Sequence, residues 1–448
     1  MDLRTLPSGL NPEQRCNERR QRVETETHVD LANLQTDEAR IGQADEKNCE
    51  QMIGAVPLPV GIAGPLTVTF SSGEKSEVFL PLATTEAALV ASVNRGCKVL
   101  STIGGAAVQS IYHGMSRSIV LKPKNEKIHS YTNLRRRLPA EDPPKANEGG
   151  FSHADLLSTV GKPTLADAIA SLEKDWKRIG EATSGHLKIL RYDLDESDGY
   201  TFLTISCNTS EAMGMNMTTI AAQAIGDFLA QELDAELITI AANVDSDKKP
   251  SKRTHDRGRG YEVTASAVVP SSVIAEVLKT TPEKLLAVAD AKLRVGSKIA
   301  GAIGSNLHAA NVIAALYLAT GQDAAHVVEG SLADTTVEAD FGLRESDLGK
   351  QTTRGPKSSV RGPLPSRIRI TTRLPALLVG VRGGGTALPA QNQCLSLILK
   401  PQRGMLPALR PTQQLAETIG AAVLAGELSL LAAQATQTLA SSHKKLAR

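Results

Sequence analysis

Four short strings carry side chains able to steady a negative charge or move a proton. Asp247-Lys248-Lys249-Pro250 directly follows a strand-like run, AELITIAA, so its charges are carried on a rigid end. Adjacent lysines are ordinarily solvated surface, but an aspartate and lysine beside a sheet end can also stabilise an oxyanion. Glu86, in Thr84-Thr85-Glu86, stands at the first turn of an apolar helical pattern, where the helix dipole favours a carboxylate. Asp323, in Gly321-Gln322-Asp323-Ala324-Ala325, follows another apolar helix and by itself reads as a C-terminal turn. His443 lies near the end of the last helical pattern, a terminus compatible with its charge. Singly, none of the four decides a chemistry.

Two further strings suit an anion. At Glu211-Ala212-Met213-Gly214-Met215-Asn216-Met217 a helix begins, and its free N–H groups and dipole can hold a pyrophosphate, with Gly214 allowing close approach. Arg382-Gly383-Gly384-Gly385-Thr386 offers glycines that accept positive φ and bring backbone near a phosphate; most such runs are simple turns. No G-x-G-x-x-G follows a predicted strand, so a Rossmann nucleotide site is not supported.

The elements that must position these groups fall into two patterns. Between Ser118 and Ala242, SIVLK, LKILRYDLD, YTFLTIS and AELITIAA read as strands. TLADAIASLEKDWKRIGEATS and EAMGMNMTTIAAQAIGDFLAQEL read as helices, giving the order β-α-β-β-α-β of a ferredoxin-like unit. Around it lie TTEAALVASVNRGCKVL, GSKIAGAIGSNLHAANVIAALYLATG and a long helix from about Gln413 to His443, rich in small residues that permit close packing. The expected fold is therefore α+β: a helix-rich large domain, residues 1–117 and 243–448, with an inserted small domain at 118–242. Lys122 to Pro163 and Glu329 to Arg367 lack an apolar period and read as connections.

Composition narrows the classes. Fifty Lys and Arg balance 48 Asp and Glu, a net charge of +2 that gives no reason to expect nucleic acid or a membrane surface as partner. The five cysteines are scattered and free of any CxxC pair, which argues against a disulfide framework or a zinc knuckle; no metal site is expected, and a reducing compartment fits best. The N-terminus has no apolar core of signal-peptide type, so the cytoplasm is the expected location. The longest apolar run, Thr418 to Ala433, is shorter than the ~20 residues of a membrane span and carries Glu427 in its middle, so it reads as a buried helix.

Taken together, the strings carry a resemblance. Glu50-Gln51-Met52-Ile53-Gly54, PLPVGIAGPL, ATTEAALVASVNRGCK, EAMGMNM, DKKP, HAAN, GQDAA, GGGT, AGELSL and Ser442-His443 occur in one order from Glu50 to His443. In strings and order the chain resembles the soluble catalytic portion of the 3-hydroxy-3-methylglutaryl-CoA reductases, in their eukaryotic and archaeal class. The resemblance implies reduction of the acyl-CoA thioester to mevalonate by two hydrides from NADPH, through mevaldehyde, on the route to isoprenoids and sterols. It implies that Lys248 polarises the carbonyl, Glu86 donates a proton, Asp323 sets the protonation of these groups and His443 protonates the departing thiolate. An acid that donates near neutral pH needs its pKa raised by burial, against the lowering effect of a helix start. On the same basis Arg117, Asp247, Lys249, Lys292 and Asn311 fall on the substrate side, and Glu50, Asn94 and Arg95 on the coenzyme A side. Glu211, Ala212, Met213, Gly214, Met215 and Asn216, with Gly383, Gly384, Gly385 and Thr386, would bind the nucleotide. A homodimer or homotetramer with active sites between subunits is implied as well.

The sequence also departs from the family pattern. Asn208-Thr209-Ser210-Glu211 stands where Ser-Arg-Ser-Gly-Asp is usual, and Gly185 stands where arginine is common, so positive charge is missing from the nucleotide side. Ala241 replaces a serine and Arg382 a small apolar residue. These departures keep a second reading open: a weakened paralogue that binds CoA esters, pairs with an active subunit or confers inhibitor tolerance, the last also suggested by Gln434. A thioester hydrolase is disfavoured, because no G-x-S-x-G is present.

Overall fold

A computed structural model describes residues 2–124, 164–341, 365–399, 403–404 and 408–437. In chain order its main elements are α1 (Pro12–Thr27), β1 (Val60–Thr69), β2 (Lys75–Ala83), α2 (Leu89–Thr102) and β3 (Ala106–Pro123). There follow α3 (Leu165–Ser171), α4 (Glu173–Ala182), β4 (Lys188–Ser197), β5 (Tyr200–Asn208), α5 (Met215–Glu232) and β6 (Ala235–Thr239). The last group is β7 (Gly260–Pro270), α6 (Ala309–Thr320), β8 (Asp334–Asp340), β9 (Arg367–Leu377), α7 (Pro389–Leu399) and α8 (Pro411–Ala435). The chain divides into two compact units: Gly114–Ser210 with Gly214–Asp247, and the remainder, which includes Glu211–Met213.

In the smaller unit β5 pairs antiparallel with both β4 and β3, and β3 also pairs with β6. Trp176, fully buried, donates its indole N–H to the Ile169 carbonyl at 3.0 Å and meets Tyr192 edge-on, which ties the helices to β4. The helix expected over TLADAIASLEKDWKRIGEATS is two helices, since α3 closes at Leu172 and α4 starts at Glu173. Strand β3 runs 18 residues and begins well before Ser118.

The larger unit contains a sheet that the helix-rich reading of the sequence did not single out. Its strands follow the order β2-β1-β3-β7-β9-β8. Along β7 the buried Tyr261, Val263, Ala265, Ala267 and Val269 alternate with the half-buried Glu262, Thr264, Ser266 and Val268, the period of a strand with one face on the core. Strand β8 falls inside the segment read as a connection from Glu329 to Arg367, and that expectation is corrected at 334–340. Its residues pair with β9 from Asp334 opposite Arg373 to Asp340 opposite Arg367. DTTVEAD reads as loop because an edge strand needs an apolar period on one face at most, and here its charges face arginines of β9.

Helix α8 is the core of this unit. It is long and apolar enough to cross a membrane by composition, but 94% of its apolar window is buried within the protein, as the sequence leads one to expect of a core helix. Two carboxylates inside it are fully buried, and both are satisfied. Glu427 accepts the amides of Leu307 and His308, each at 2.8 Å, and the Thr335 hydroxyl at 2.8 Å. Glu417 accepts the Ser71 amide at 3.0 Å and the Ser71 and Ser110 hydroxyls. Such bonds offset the large cost of removing a charge from water.

Close approach of α2 to α8 requires a glycine. A Cβ on Gly96 would stand 1.9 Å from the Ala425 carbonyl oxygen. Helix propensity favours Ala over Gly by about 1 kcal/mol, but forcing the helices apart costs about 1–3 kcal/mol or more. Gly96→Ala should therefore lower the urea midpoint, whereas Gly185→Ala, whose Cβ would meet nothing within 4 Å, should leave it unchanged. Equal midpoints for the two variants would refute the close-packing account.

Candidate active site

Lys248 and Asp323 are brought together. The Lys248 ammonium lies 2.7 Å from Asp323 Oδ2, and both side chains remain partly exposed. Asp323 is placed by the end of α6, which closes on Gly321 in the left-handed conformation, φ 71°. The Asp323 Oδ1 then accepts the Ala325 amide at 3.0 Å. Burial alone would raise the Asp323 carboxyl, but the bonded Lys248 ammonium, the Ala325 amide and nearby His326 hold it below its ordinary value. Asp323 is thus an ionised acceptor at neutral pH, and Lys248 an oriented cation.

Glu86 lines a separate feature, a cleft of about 340 Å³ whose polar wall includes Ser92, Arg95, His308, Asn311 and Gln434. That volume suits part of a small ligand. Asn311 donates its side-chain amide to Glu86 Oε2 at 2.8 Å. Asn311 sits in the first turn of α6, and the turn ahead of that helix is pinned by Glu427 through the Leu307 and His308 amides. Glu86 itself is not in the first turn of its helix, as expected from the sequence. Ala88 takes a left-handed conformation, φ 73°, so α2 starts only at Leu89, three residues after Glu86.

The residues assigned to the coenzyme A side differ in environment. Arg95 donates from Nε to Ser429 Oγ at 3.0 Å and from Nη2 to the Ser429 carbonyl at 2.6 Å, and burial pushes its pKa down. Asn94 accepts the Gly64 amide at 3.0 Å, which fixes the end of its side chain against β1. Glu50 and Lys292 are exposed. In the smaller unit Arg117 donates to Thr219 Oγ1 at 3.0 Å and meets Asp245 and Asp247 at 3.3 Å each. Lys249 is exposed. His443 lies outside the described residues.

Three of the sequence strings converge. The Glu211 carbonyl accepts the amides of Val381 and Arg382, and Ala212 bridges to Arg382. Gly380 packs so tightly that a Cβ there would stand 2.4 Å from the Met213 nitrogen, and its own amide donates to Gln322 Oε1 at 2.9 Å. Gly321 rests on Gly385, where a Cβ would lie 2.3 Å from the carbonyl oxygen. EAM, VRGGGT and GQD are therefore one backbone cluster with the turn that carries Asp323. Around Gly383 and Gly384, both at positive φ, a Cβ would meet nothing within 4 Å, so open space is available beside Thr386 and the glycine run. Gly214 itself takes a positive φ of 91°. Its Cβ position, 2.2 Å from Thr209, is filled by that side chain, and Met215 and Asn216 follow as the start of α5.

Sequence reasoning missed a buried charged group next to the Lys248–Asp323 pair. Glu329 Oε1 accepts the Lys248 amide at 2.6 Å and the Arg259 guanidinium at 2.9 Å, and lies 3.2 Å from His326 Nδ1. The signal was the spacing Asp323, His326, Glu329, which puts three polar residues on one face of a helical turn.

A model of the hydroxymethylglutaryl-coenzyme A reductase family matches residues 15–142 and 157–448. Among curated relatives, the 3-hydroxy-3-methylglutaryl-coenzyme A reductase of Haloferax volcanii is 37% identical over 412 residues, covering 91% of this chain and 86% of its own. That of Methanothermobacter thermautotrophicus is 34% identical, covering 96% and 92%. A solved class II reductase from Streptococcus pneumoniae bound to NADPH covers 93% of this chain and 96% of its own with a TM-score of 0.60; at 18% identity it speaks to the fold. On the family match over most of its length and on identities above a third to full-length relatives, this chain belongs to the hydroxymethylglutaryl-coenzyme A reductase family.

Proposed function

We propose that the chain reduces 3-hydroxy-3-methylglutaryl-CoA to mevalonate and CoA with two NADPH. The observation that carries this reading is the Lys248–Asp323 ion pair at 2.7 Å, an oriented cation held by an ionised acceptor in a chain of this family. NADPH, when bound, supplies the two hydrides. Gly383, Gly384, Gly385 and Thr386, with open space about the first two, fit the close approach of a phosphate, and Glu211, Ala212 and Met213 hold that loop in place.

The residues then divide the work. Lys248 donates to the thioester carbonyl oxygen and steadies the negative charge that develops there. Asp323 keeps Lys248 aimed. Glu86, held by Asn311 in its cleft, gives the proton that turns the alkoxide into an alcohol; because that cleft and the Lys248–Asp323 pair lie at opposite ends of α6, the two meet one substrate across a subunit boundary. His443 protonates the departing CoA thiolate. Arg117, Asp247, Lys249 and Lys292 bind the acyl part, and Glu50, Asn94 and Arg95 the CoA part. Val56, Leu58, Val60 and Ile62, alternate residues all at least 40% exposed, form an apolar stripe that supports a homodimer or homotetramer with shared active sites. None of the five cysteines is in a disulfide, which suits a cytoplasmic setting.

The direct test is NADPH oxidation by the purified protein given the hydroxymethylglutaryl thioester, with NADH in parallel. Two NADPH consumed per mevalonate are expected. Absence of turnover from folded protein that still binds CoA esters would instead favour the weakened paralogue. Glu86→Gln should abolish mevalonate formation, and near-normal turnover would remove its role as proton donor.

The Lys248–Asp323 pair also makes a pH prediction. Because the folded Asp323 carboxyl lies below its ordinary value of 3.8, the pair's contribution to stability is present above that pH and is lost as pH falls through the folded value. The difference in urea midpoint between the wild type and Asp323→Asn should hold steady from neutral pH to about 5 and close below about 4. A difference that widens on acidification would contradict the assigned direction.

A further inference from the structure

Lys248 has a backbone that a lysine rarely adopts. Its φ of 57° lies in the left-handed region, and from that conformation the ammonium reaches Asp323 at 2.7 Å. The group in contact with that backbone is Glu329. Its side chain is fully buried, and a single oxygen, Oε1, accepts the Lys248 amide at 2.6 Å and Arg259 Nη1 at 2.9 Å. The same oxygen lies 3.2 Å from His326 Nδ1, and His326 Nε2 lies 3.8 Å from Asp323 Oδ2. One buried carboxylate thus touches the backbone of the cation and, through His326, stands behind the acceptor that the cation meets.

We propose that Glu329 is a positioning residue for the reduction: it locks the Lys248 backbone in its left-handed conformation so that the ammonium stays aimed at the substrate carbonyl. The proposal rests on the reading of Lys248 as the group that polarises that carbonyl. Neutralising Arg259 would require only a carboxylate somewhere against its guanidinium. Holding Lys248 requires an acceptor oxygen at one point, within hydrogen-bond reach of one amide.

The two requirements separate in two variants. Glu329→Asp keeps the charge but withdraws the acceptor by about 1.5 Å, beyond reach of the Lys248 amide. Glu329→Gln gives up the charge and keeps an acceptor oxygen in place. Assayed by NADPH oxidation, Glu329→Asp should lose roughly 10- to 100-fold in kcat while KM for the thioester and for NADPH stays within about twofold. Glu329→Gln should keep kcat within about threefold of the wild type. Unchanged kcat in Glu329→Asp, or the reverse order of the two variants, would overturn the proposal.

Should Glu329→Asp, or Glu329→Gln, which leaves the buried Arg259 without its carboxylate, fail to fold by circular dichroism, Arg259→Met/Glu329→Met takes its place and removes the acceptor without leaving a buried charge alone. It should show the same kcat loss at constant KM, and normal kcat there would also overturn the proposal. Lys248→Ala serves as the control on the underlying reading. If that single variant turns over normally, Lys248 is not the polarising group and the proposal falls with it, a result distinct from failure at Glu329 alone.

Discussion

A carboxylate in the dry middle of a helix must find donors, and the way Glu427 does so organises much of the larger unit. Its two oxygens take the amides of Leu307 and His308, which close the turn before α6, and the hydroxyl of Thr335 on β8. Helix, turn and edge strand are thereby fixed to one another by one charge. The turn sets where α6 begins, the beginning of α6 sets where Asn311 stands, and Asn311 holds Glu86. At the other end of α6, Gly321 against Gly385 sets where Asp323 stands. A polar group that looks like a blemish in an apolar run is what aligns the cleft.

The sequence made some of this legible and hid the rest for identifiable reasons. The β-α-β-β-α-β pattern of the smaller unit was readable because its strands alternate and its helices keep a 3.6-residue period. In the larger unit the short alternation of β7 competes with long apolar helical patterns, and β8 is a charged edge without an apolar period. Glu86 was read one turn too deep, because nothing local announces that Ala88 is left-handed. The packing of Gly214 against Thr209 is a contact five residues away that no pattern reveals. Nothing local pairs Lys248 with Asp323 across 75 residues of sequence; the family resemblance implied that Asp323 acts on Lys248, and the structure sets the two 2.7 Å apart.

Glycine does a different job at each point of convergence. Gly96 lets two helices touch, Gly321 and Gly380 let backbones stack, and Gly383 and Gly384 leave space unfilled. The first three are packing requirements of the scaffold, and the last two are room kept for something else. A motif scan treats all of these as the same letter; the distances to a would-be Cβ separate them.

One contact bears on the charge deficit that the sequence shows on the side that the proposed function gives to the nucleotide. Glu211 stands at a place where a longer acid would be expected to repel a phosphate, but its Oε2 accepts the amide of Thr412 at 2.9 Å, in the first turn of α8. The positive end of a helix of 25 residues therefore faces that carboxylate. The segment is closer to electrical neutrality than its letters suggest, and the arginines it lacks have less negative charge to counter.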